Sequence, residues 1–302
     1  MVKIAVLMST YNGEKYIREQ IDSILNQIGD FSLDLYVRDD GSTDNTLRLL
    51  EKYKAQNKLN WYTGENLKPA KSFIHLLKKC GTYDYYAFAD QDDFWKQDKI
   101  LRGINKLKFQ NGPALYCSNA ELVDDKLNTL NRNVYKASPK TDFETVVCAG
   151  GLLGCTMIFN NELAEVIKKY KNYPQMILHD FYLAVLCVSL GGKIIYDSQS
   201  TMKYRQHRNN VVGVSHGIIR TILSRIKDVA YKEPIGISNQ AYSVLIRHEK
   251  DLSPERKKWL MKVAHYKDSV INRLKLACSH RTKYINKNMG IKLRISILLG
   301  NR

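Results

Sequence analysis

The chain has 302 residues, 44% of them hydrophobic, and a formal net charge of +17. That apolar content supports one large domain, or a domain with an appendage, and excludes a disordered or low-complexity protein. The charge is uneven: from Gly217 to Arg302, 19 Lys and Arg face 6 Asp and Glu, so an anionic partner is expected to meet the tail.

Cys80, Cys117, Cys148, Cys155, Cys187 and Cys278 include no CxxC and no histidine at ligand spacing. They read as reduced thiols of a cytoplasmic protein, not as a disulfide frame or a zinc site. The segment Met1–Ser9 turns polar without a long apolar run or a small-residue cleavage site, which predicts a first strand and not a signal peptide. No apolar run approaches the roughly 18 residues that a membrane span needs.

The run Lys3–Ser9 is continuously apolar, as in a strand buried on both faces, and ends at Thr10-Tyr11-Asn12-Gly13. Ile17, Ile21, Ile24 and Leu25 then fall at helical spacing. A second strand, Leu33–Val37, runs into Arg38-Asp39-Asp40-Gly41-Ser42, where Ser42 and Thr43 are expected to cap a helix carrying Leu47, Leu50 and Tyr53. A third strand around Asn60–Tyr62 leads through Gly64-Glu65-Asn66 to a helix with Phe73, Ile74 and Leu77. A fourth, Tyr85–Ala89, ends in Asp90-Gln91-Asp92-Asp93. Farther on, Gly150–Phe159 reads as a glycine-punctuated turn feeding a strand, and His179-Asp180 heads an apolar helix.

Strands alternating with helices indicate an α/β fold with a parallel sheet, whose ligands bind outside the carboxyl ends of the strands. Thr10-Tyr11, Asp39-Asp40 and Asp90–Asp93 all follow such ends, so the fold should gather them on one edge. Unpaired carboxylates are costly to bury, and Asp and Gln oxygens are hard ligands, so the last cluster suits a cation such as Mg2+ or Mn2+. The competing reading is a solvated turn with an N-capping Asp. No GxGxxG follows the first strand and no GxxxxGK[ST] occurs, so neither a dinucleotide fold nor a P-loop is supported.

Ser9-Thr10-Tyr11-Asn12, Asp39-Asp40-Gly41-Ser42-Thr43-Asp44 and Asp90-Gln91-Asp92-Asp93 resemble, in order and spacing, the N-terminal signatures of family 2 glycosyltransferases with the GT-A fold. With Phe94-Trp95, His179-Asp180 and Tyr204-Arg205-Gln206-His207, they resemble the bacterial rhamnosyltransferase-type branch. The resemblance covers roughly residues 1–212, and implies a GT-A catalytic domain there, with a mostly parallel central sheet flanked by helices. Residues 213–302 would form a basic, mainly helical extension. It also implies transfer of a sugar, L-rhamnose from dTDP-rhamnose, onto a lipid-linked cell-wall or capsular polysaccharide precursor, with inversion and with Mn2+ or Mg2+.

By the same resemblance, Thr10 and Tyr11 hold the base through backbone groups and the Tyr ring. Asp40 accepts its imide N–H, with Asp39 as a helper or as the partner of Arg38. Lys71 steadies the diphosphate, and Asp90 and Gln91 border the donor. The metal ligands would be Asp92, Asp90 and His207, with Arg205 or Arg208 on the phosphates; Asp93 would cap the next helix or orient Trp95. Asp180 would be the catalytic base, in a position where the family usually has Glu-Asp and this chain has His-Asp; an ordinary helix cap is its bland alternative.

Basic helical segments around Ile218–Lys227, Arg256–Leu260 and Lys292–Leu299 suit the anionic inner face of a cell membrane, or a helical subdomain with a solvated basic face. No nucleic-acid motif is present, and no nucleic-acid partner is expected. The alternatives to a rhamnosyltransferase are a UDP-hexose-dependent transferase, a nucleotidyltransferase, which lacks here its glycine-rich phosphate loop, and an inactive membrane-bound scaffold.

Overall fold

The computed structural model describes residues 1–206, 236–282 and 287–301. These divide into two compact units. The first comprises 1–135, 153–173 and 195–207, and the second comprises 136–152, 174–194 and 208–302. The expected catalytic region, residues 1–212, includes residues of both units.

The first unit is built on a nine-stranded sheet. Its strands are β1 (Val2–Thr10), β2 (Phe31–Asp39), β3 (Asn60–Thr63), β4 (Tyr85–Ala89), β5 (Phe94–Trp95), β6 (Ala114–Val123), β7 (Thr129–Asn133), β8 (Ile158–Asn160) and β9 (Lys193–Arg205). They run in the order β3-β2-β1-β4-β8-β6-β9-β5, with β7 paired to β6. The four N-terminal strands are parallel, with Thr10 opposite Asp39 and Asp39 opposite Thr63. Beyond β4 the β4–β8, β8–β6, β6–β7 and β5–β9 pairs are antiparallel. The sheet is thus mixed: β1 to β4, each joined to the next by a helix, form its parallel part, and the later pairs run antiparallel.

Those helices are α1 (Ile17–Leu25), α2 (Thr46–Ala55) and α3 (Lys68–Lys79), followed by α4 (Lys99–Leu107) and α6 (Asn161–Lys168). Residues Ile4 to Met8 of β1 are all fully buried, as their unbroken apolar run requires at the centre of the sheet. Phe88 of β4 sits at the hub of the core, with ring centroids 5.1 Å from both Phe73 of α3 and Phe159 of β8.

The second unit is helical. It contains α5 (Phe143–Ala149), α7 (His179–Ser189), α8 (Ile237–His248), α9 (Pro254–Ala264), α10 (Val270–Ala277) and α11 (Lys287–Leu298). Side-chain caps begin three of these helices: Asp142 accepts from Thr145 N, Ser253 from Arg256 N and Ser269 from Asn272 N. Gln240 Oε1 and Ser243 Oγ of α8 accept the backbone N–H groups of Ile177 and Gln175 at 3.1 Å, tying the approach to α7 onto α8. The segment Ile218–Lys227 read as a basic helix lies outside the described residues.

Removing the Phe88 ring leaves a cavity among Phe73, Phe159 and the sheet. Phe88→Ala is therefore expected to lower the stability of the sheet by about 3–5 kcal/mol, read as a shifted midpoint in urea unfolding. A cost below about 1 kcal/mol would remove Phe88 from the hub.

Candidate functional site

The β1–α1 and β2–α2 loops are sewn together. Asn12 N donates to Ser42 Oγ at 2.8 Å, and Thr43 N returns a bond to Asn12 Oδ1 at 2.9 Å. Gly13 N donates to Thr46 Oγ1 at 2.8 Å. Glu14 N donates to Asp44 Oδ2 at 3.1 Å, while Glu14 Oε2 accepts from Asn45 N at 2.8 Å. The polar residues of both motifs thus satisfy backbone groups of the opposite loop. This changes the expected cap: α2 begins after Asn45, Asp44 accepts from Thr46 N, and Ser42 donates its hydroxyl to Asp39.

The third loop joins through Gln91. Its Oε1 accepts from Thr10 Oγ1 at 2.5 Å and from Tyr11 N at 3.0 Å, and its Nε2 donates to Tyr11 O at 3.1 Å. Thr10 O accepts from Asp40 N at 2.8 Å. The backbone groups at Thr10 and Tyr11 expected to hold a base are therefore occupied within the chain. The exposed Tyr11 ring is what these two residues present to a ligand. A side chain at Gly13 would collide with the Gln91 amide, its Cβ falling 2.3 Å from Oε1.

Asp39 and Asp40 divide the labour. Asp39, fully buried, accepts from Gly41 N and Ser42 N at 2.9 Å and from Thr63 Oγ1 at 3.0 Å. It shapes a turn that needs Gly41 at φ +85°, a region that glycine enters without a Cβ penalty. Arg38 pairs with Asp40, not with Asp39, and both members of the pair are buried. Arg38 also donates to Glu65 O at 2.8 Å and to Ser72 Oγ at 3.3 Å, fixing Asp40 against the β3–α3 turn. Lys71 is exposed on the first turn of α3.

At the end of β4, Asp90 and Asp92 are half-buried and Asp93 is buried. The carboxylate oxygens of Asp90 and Asp93 and the Cys155 sulfur lie within 4.8 Å of one another. Burial first, then the charges of Asp92 and Asp90, push the Asp93 carboxyl well above the usual carboxylate range. Burial likewise raises the Cys155 thiol, which hydrogen-bonds Asp93. Asp93 does not cap α4, whose N-cap is Asp98. Its Oδ1 accepts from Arg205 N at 3.4 Å.

Arg205, at the end of β9 and 1% exposed, was expected on a phosphate but is consumed internally. Its Nε donates to Asp92 O at 2.8 Å, one terminal nitrogen donates to Asp125 O, and the other pairs with Glu19 at 2.5 Å. Its guanidinium lies 4.5 Å from the centre of the Tyr16 ring. It is a clamp beneath the acid turn, a role that nothing in the local sequence announces. Lys99 was also missed: fully buried, it donates to Cys155 O at 3.0 Å and sits 4.6 Å from the Trp95 ring centre. His207 and Arg208 lie outside the described residues.

In the second unit, Asp180 is 4% exposed in the first turn of α7. It is not the cap, which is Leu178; its Oδ1 accepts from Phe181 N at 2.7 Å. Gly150, at φ +60° after α5, leaves room for the Phe181 ring, which a Cβ there would meet at 2.8 Å.

Comparison with known proteins places this arrangement. The family model described as Glycosyl transferase family 2 matches residues 5–170. The chain belongs to glycosyl transferase family 2. The dTDP-rhamnosyl transferase RfbG of Shigella flexneri is 35% identical over 223 residues, 69% of this chain and 74% of RfbG. The poly(ribitol-phosphate) beta-N-acetylglucosaminyltransferase TarS of Staphylococcus aureus is 30% identical over 167 residues, covering 49% of this chain and 28% of TarS. The structure of S. aureus TarS 1–349 in complex with UDP-GlcNAc is similar in fold, with a TM-score of 0.56 at 19% identity, over 98% of this chain and 81% of that one. The protein is a glycosyltransferase of GT-A fold, which sets aside the nucleotidyltransferase reading.

Burial lowers the pKa of Lys99 to about 8. An unfolded lysine holds its proton to about 10.4, so between these values the unfolded chain binds more protons and stability rises with pH. The penalty of burying the cation is complete below about pH 8 and relieved above it. The stability of the wild type relative to Lys99→Met is therefore expected to improve by up to about 3 kcal/mol from pH 7 to pH 10. Chemical unfolding of both proteins across that range checks the sign.

Proposed function

We propose that the protein transfers L-rhamnose from dTDP-rhamnose to a lipid-linked precursor of a cell-wall or capsular polysaccharide, with inversion at the anomeric carbon. The reading rests on one observation above the others: 35% identity with a dTDP-rhamnosyl transferase over more than two thirds of the chain. The site supports it, because Asp40 is held by Arg38 at the strand edge where a base imide could donate to it. The exposed Tyr11 ring offers a stacking face and Lys71 an exposed cation for the diphosphate.

Asp92 and Asp90 would hold a divalent Mn2+ or Mg2+, with His207 as a further ligand. The donors fit such an ion: they are carboxylates, hard oxygen ligands at a strand end, and their negative charge helps to push the buried Asp93 carboxyl beside them upward. The Cys155 thiol, soft and held protonated by burial, is not part of that set. When bound, the ion neutralises charge on the departing diphosphate.

The chain's own residues do the rest. Gln91 fixes the Tyr11 loop, and Arg205 holds the Asp92 backbone, so the donor end is preorganised before ligand arrives. Asp180 takes the proton from the acceptor hydroxyl as that oxygen attacks the anomeric carbon, and the bond to the nucleotide diphosphate breaks. One carboxylate suffices, since no covalent intermediate forms.

A second donor reading, a UDP-hexose, is favoured by the TarS relative, whose name specifies an N-acetylglucosaminyl transfer. A thermal-shift screen of dTDP-rhamnose, UDP-sugars and GDP-sugars with Mn2+ separates them. Stabilisation specific to dTDP-rhamnose is expected, and a shift with UDP-sugars alone would replace it. In transfer assays Asp180→Asn is expected to lose a factor of about 10²–10⁴ in kcat with nucleotide binding kept. Asp40→Ala should instead weaken nucleotide binding. Wild-type turnover by Asp180→Asn or Asp92→Ala would overturn the assigned roles.

A further inference from the structure

The last helices of the second unit leave a second apolar face in solvent. On α11, Leu293 and Ile297 are buried, four residues apart, as an ordinary packed stripe. Yet Ile291 and Ile295, also four apart, are 54% and 50% exposed, and Leu298 and Leu299 continue the run. On α10, which packs against α11, Leu276 and Ala277 are buried while Val270, Ile271 and Leu274 stand exposed. Scattered surface leucines need no explanation, but two packed helices each keeping an aliphatic face in water do.

Beside α10 the fold opens a groove of about 680 Å³, lined by Lys257, Lys258, Lys262 and Lys275 over Met261 and His265. Lys257 is paired with Glu249, whereas Lys258, Lys262 and Lys275 have no carboxylate partner among the described residues. Lys262 is held below its usual pKa by burial, with the cations Arg281 and Lys275 acting the same way. The groove therefore concentrates positive charge next to exposed hydrocarbon, with three of its four lysines lacking a carboxylate partner among the described residues.

We propose that α9, α10 and α11 bind an anionic lipid surface, with the groove lysines on the lipid phosphates and the exposed residues of α10 and α11 in the acyl boundary. Charge selects this occupant. A second copy docked through a two-fold axis would set lysines against lysines. A nucleic acid would leave Ile271, Ile291 and Ile295 without an apolar counterpart. No helix among the described residues is long and apolar enough to cross a membrane, so the contact is one of lying on the surface.

The test needs no sugar donor, so its outcome is independent of the transferase reading. The full chain is floated with phosphatidylglycerol–phosphatidylcholine vesicles and with pure phosphatidylcholine vesicles. It is expected to bind the anionic vesicles, and more weakly as salt rises. The triple variant Lys258→Gln/Lys262→Gln/Lys275→Gln should lose roughly a hundredfold in affinity, at about fivefold per lysine near an anionic surface. Ile271→Ser/Ile295→Ser should also weaken binding, with an unchanged thermal melt showing that both variants fold. Equal binding to both vesicle types, no binding, or wild-type affinity in both variants overturns the proposal. So does a sedimentation result in which Ile271→Ser/Ile295→Ser only converts an oligomer to a monomer.

Discussion

Carboxylates concentrated at one sheet edge repel each other and resist burial, and the rest of the first unit is arranged around that cost. Two buried arginines brace that edge. Arg38 neutralises Asp40 from within the same strand end, and Arg205 arrives from the far end of the unit to hold the backbone carbonyls of Asp92 and Asp125 and the carboxylate of Glu19. Removing one member of a buried charge pair is more damaging than the pair is stabilising, because the partner is left charged and dry. Both arginines are therefore fixed parts of the edge and unavailable to a phosphate.

The loops themselves are held by side-chain hydrogen bonds. The turn after β1, the turn after β2 and the turn after β4 exchange side-chain-to-backbone bonds through Asn12, Thr46, Glu14 and Gln91. Each bond contributes only about 0.5–1.5 kcal/mol, yet together they join the three turns, and the buried Gly13 N–H among them would cost more if left unsatisfied. What that edge presents to solvent, the Tyr11 ring and the Lys71 amine, is the part able to respond to a ligand.

The α/β order and the strand-end acids were legible because continuous apolar strands and strand-to-helix turns are local patterns. Asp40 and Asp90–Asp93 were placed on the correct edge for that reason. Which acid does what was not legible. Asp39 and Asp40 are adjacent in sequence, but only the fold shows that Arg38 pairs with the second while the first organises the Gly41 turn. The antiparallel half of the sheet was also hidden, since β5 is two residues and β8 three, too short for any periodicity. Lys99 and Arg205 were missed or misassigned because a buried cation looks in sequence like a solvated one.

The short strand β5 explains how Arg205 reaches its place. Phe94 and Trp95, immediately after the acid turn, pair with Lys203 and Met202 of β9. Two residues farther along β9 the backbone stands beside Asp92 and Asp93, where Arg205 N and Nε find their acceptors. The Phe-Trp that follows the acids is thus a docking strip for a segment more than a hundred residues downstream. The family match ends at residue 170, before β9 begins, so the clamp lies outside the region that defines membership. A chain cut at that boundary would keep every signature acid and lose the guanidinium that holds the Asp92 backbone and pairs with Glu19.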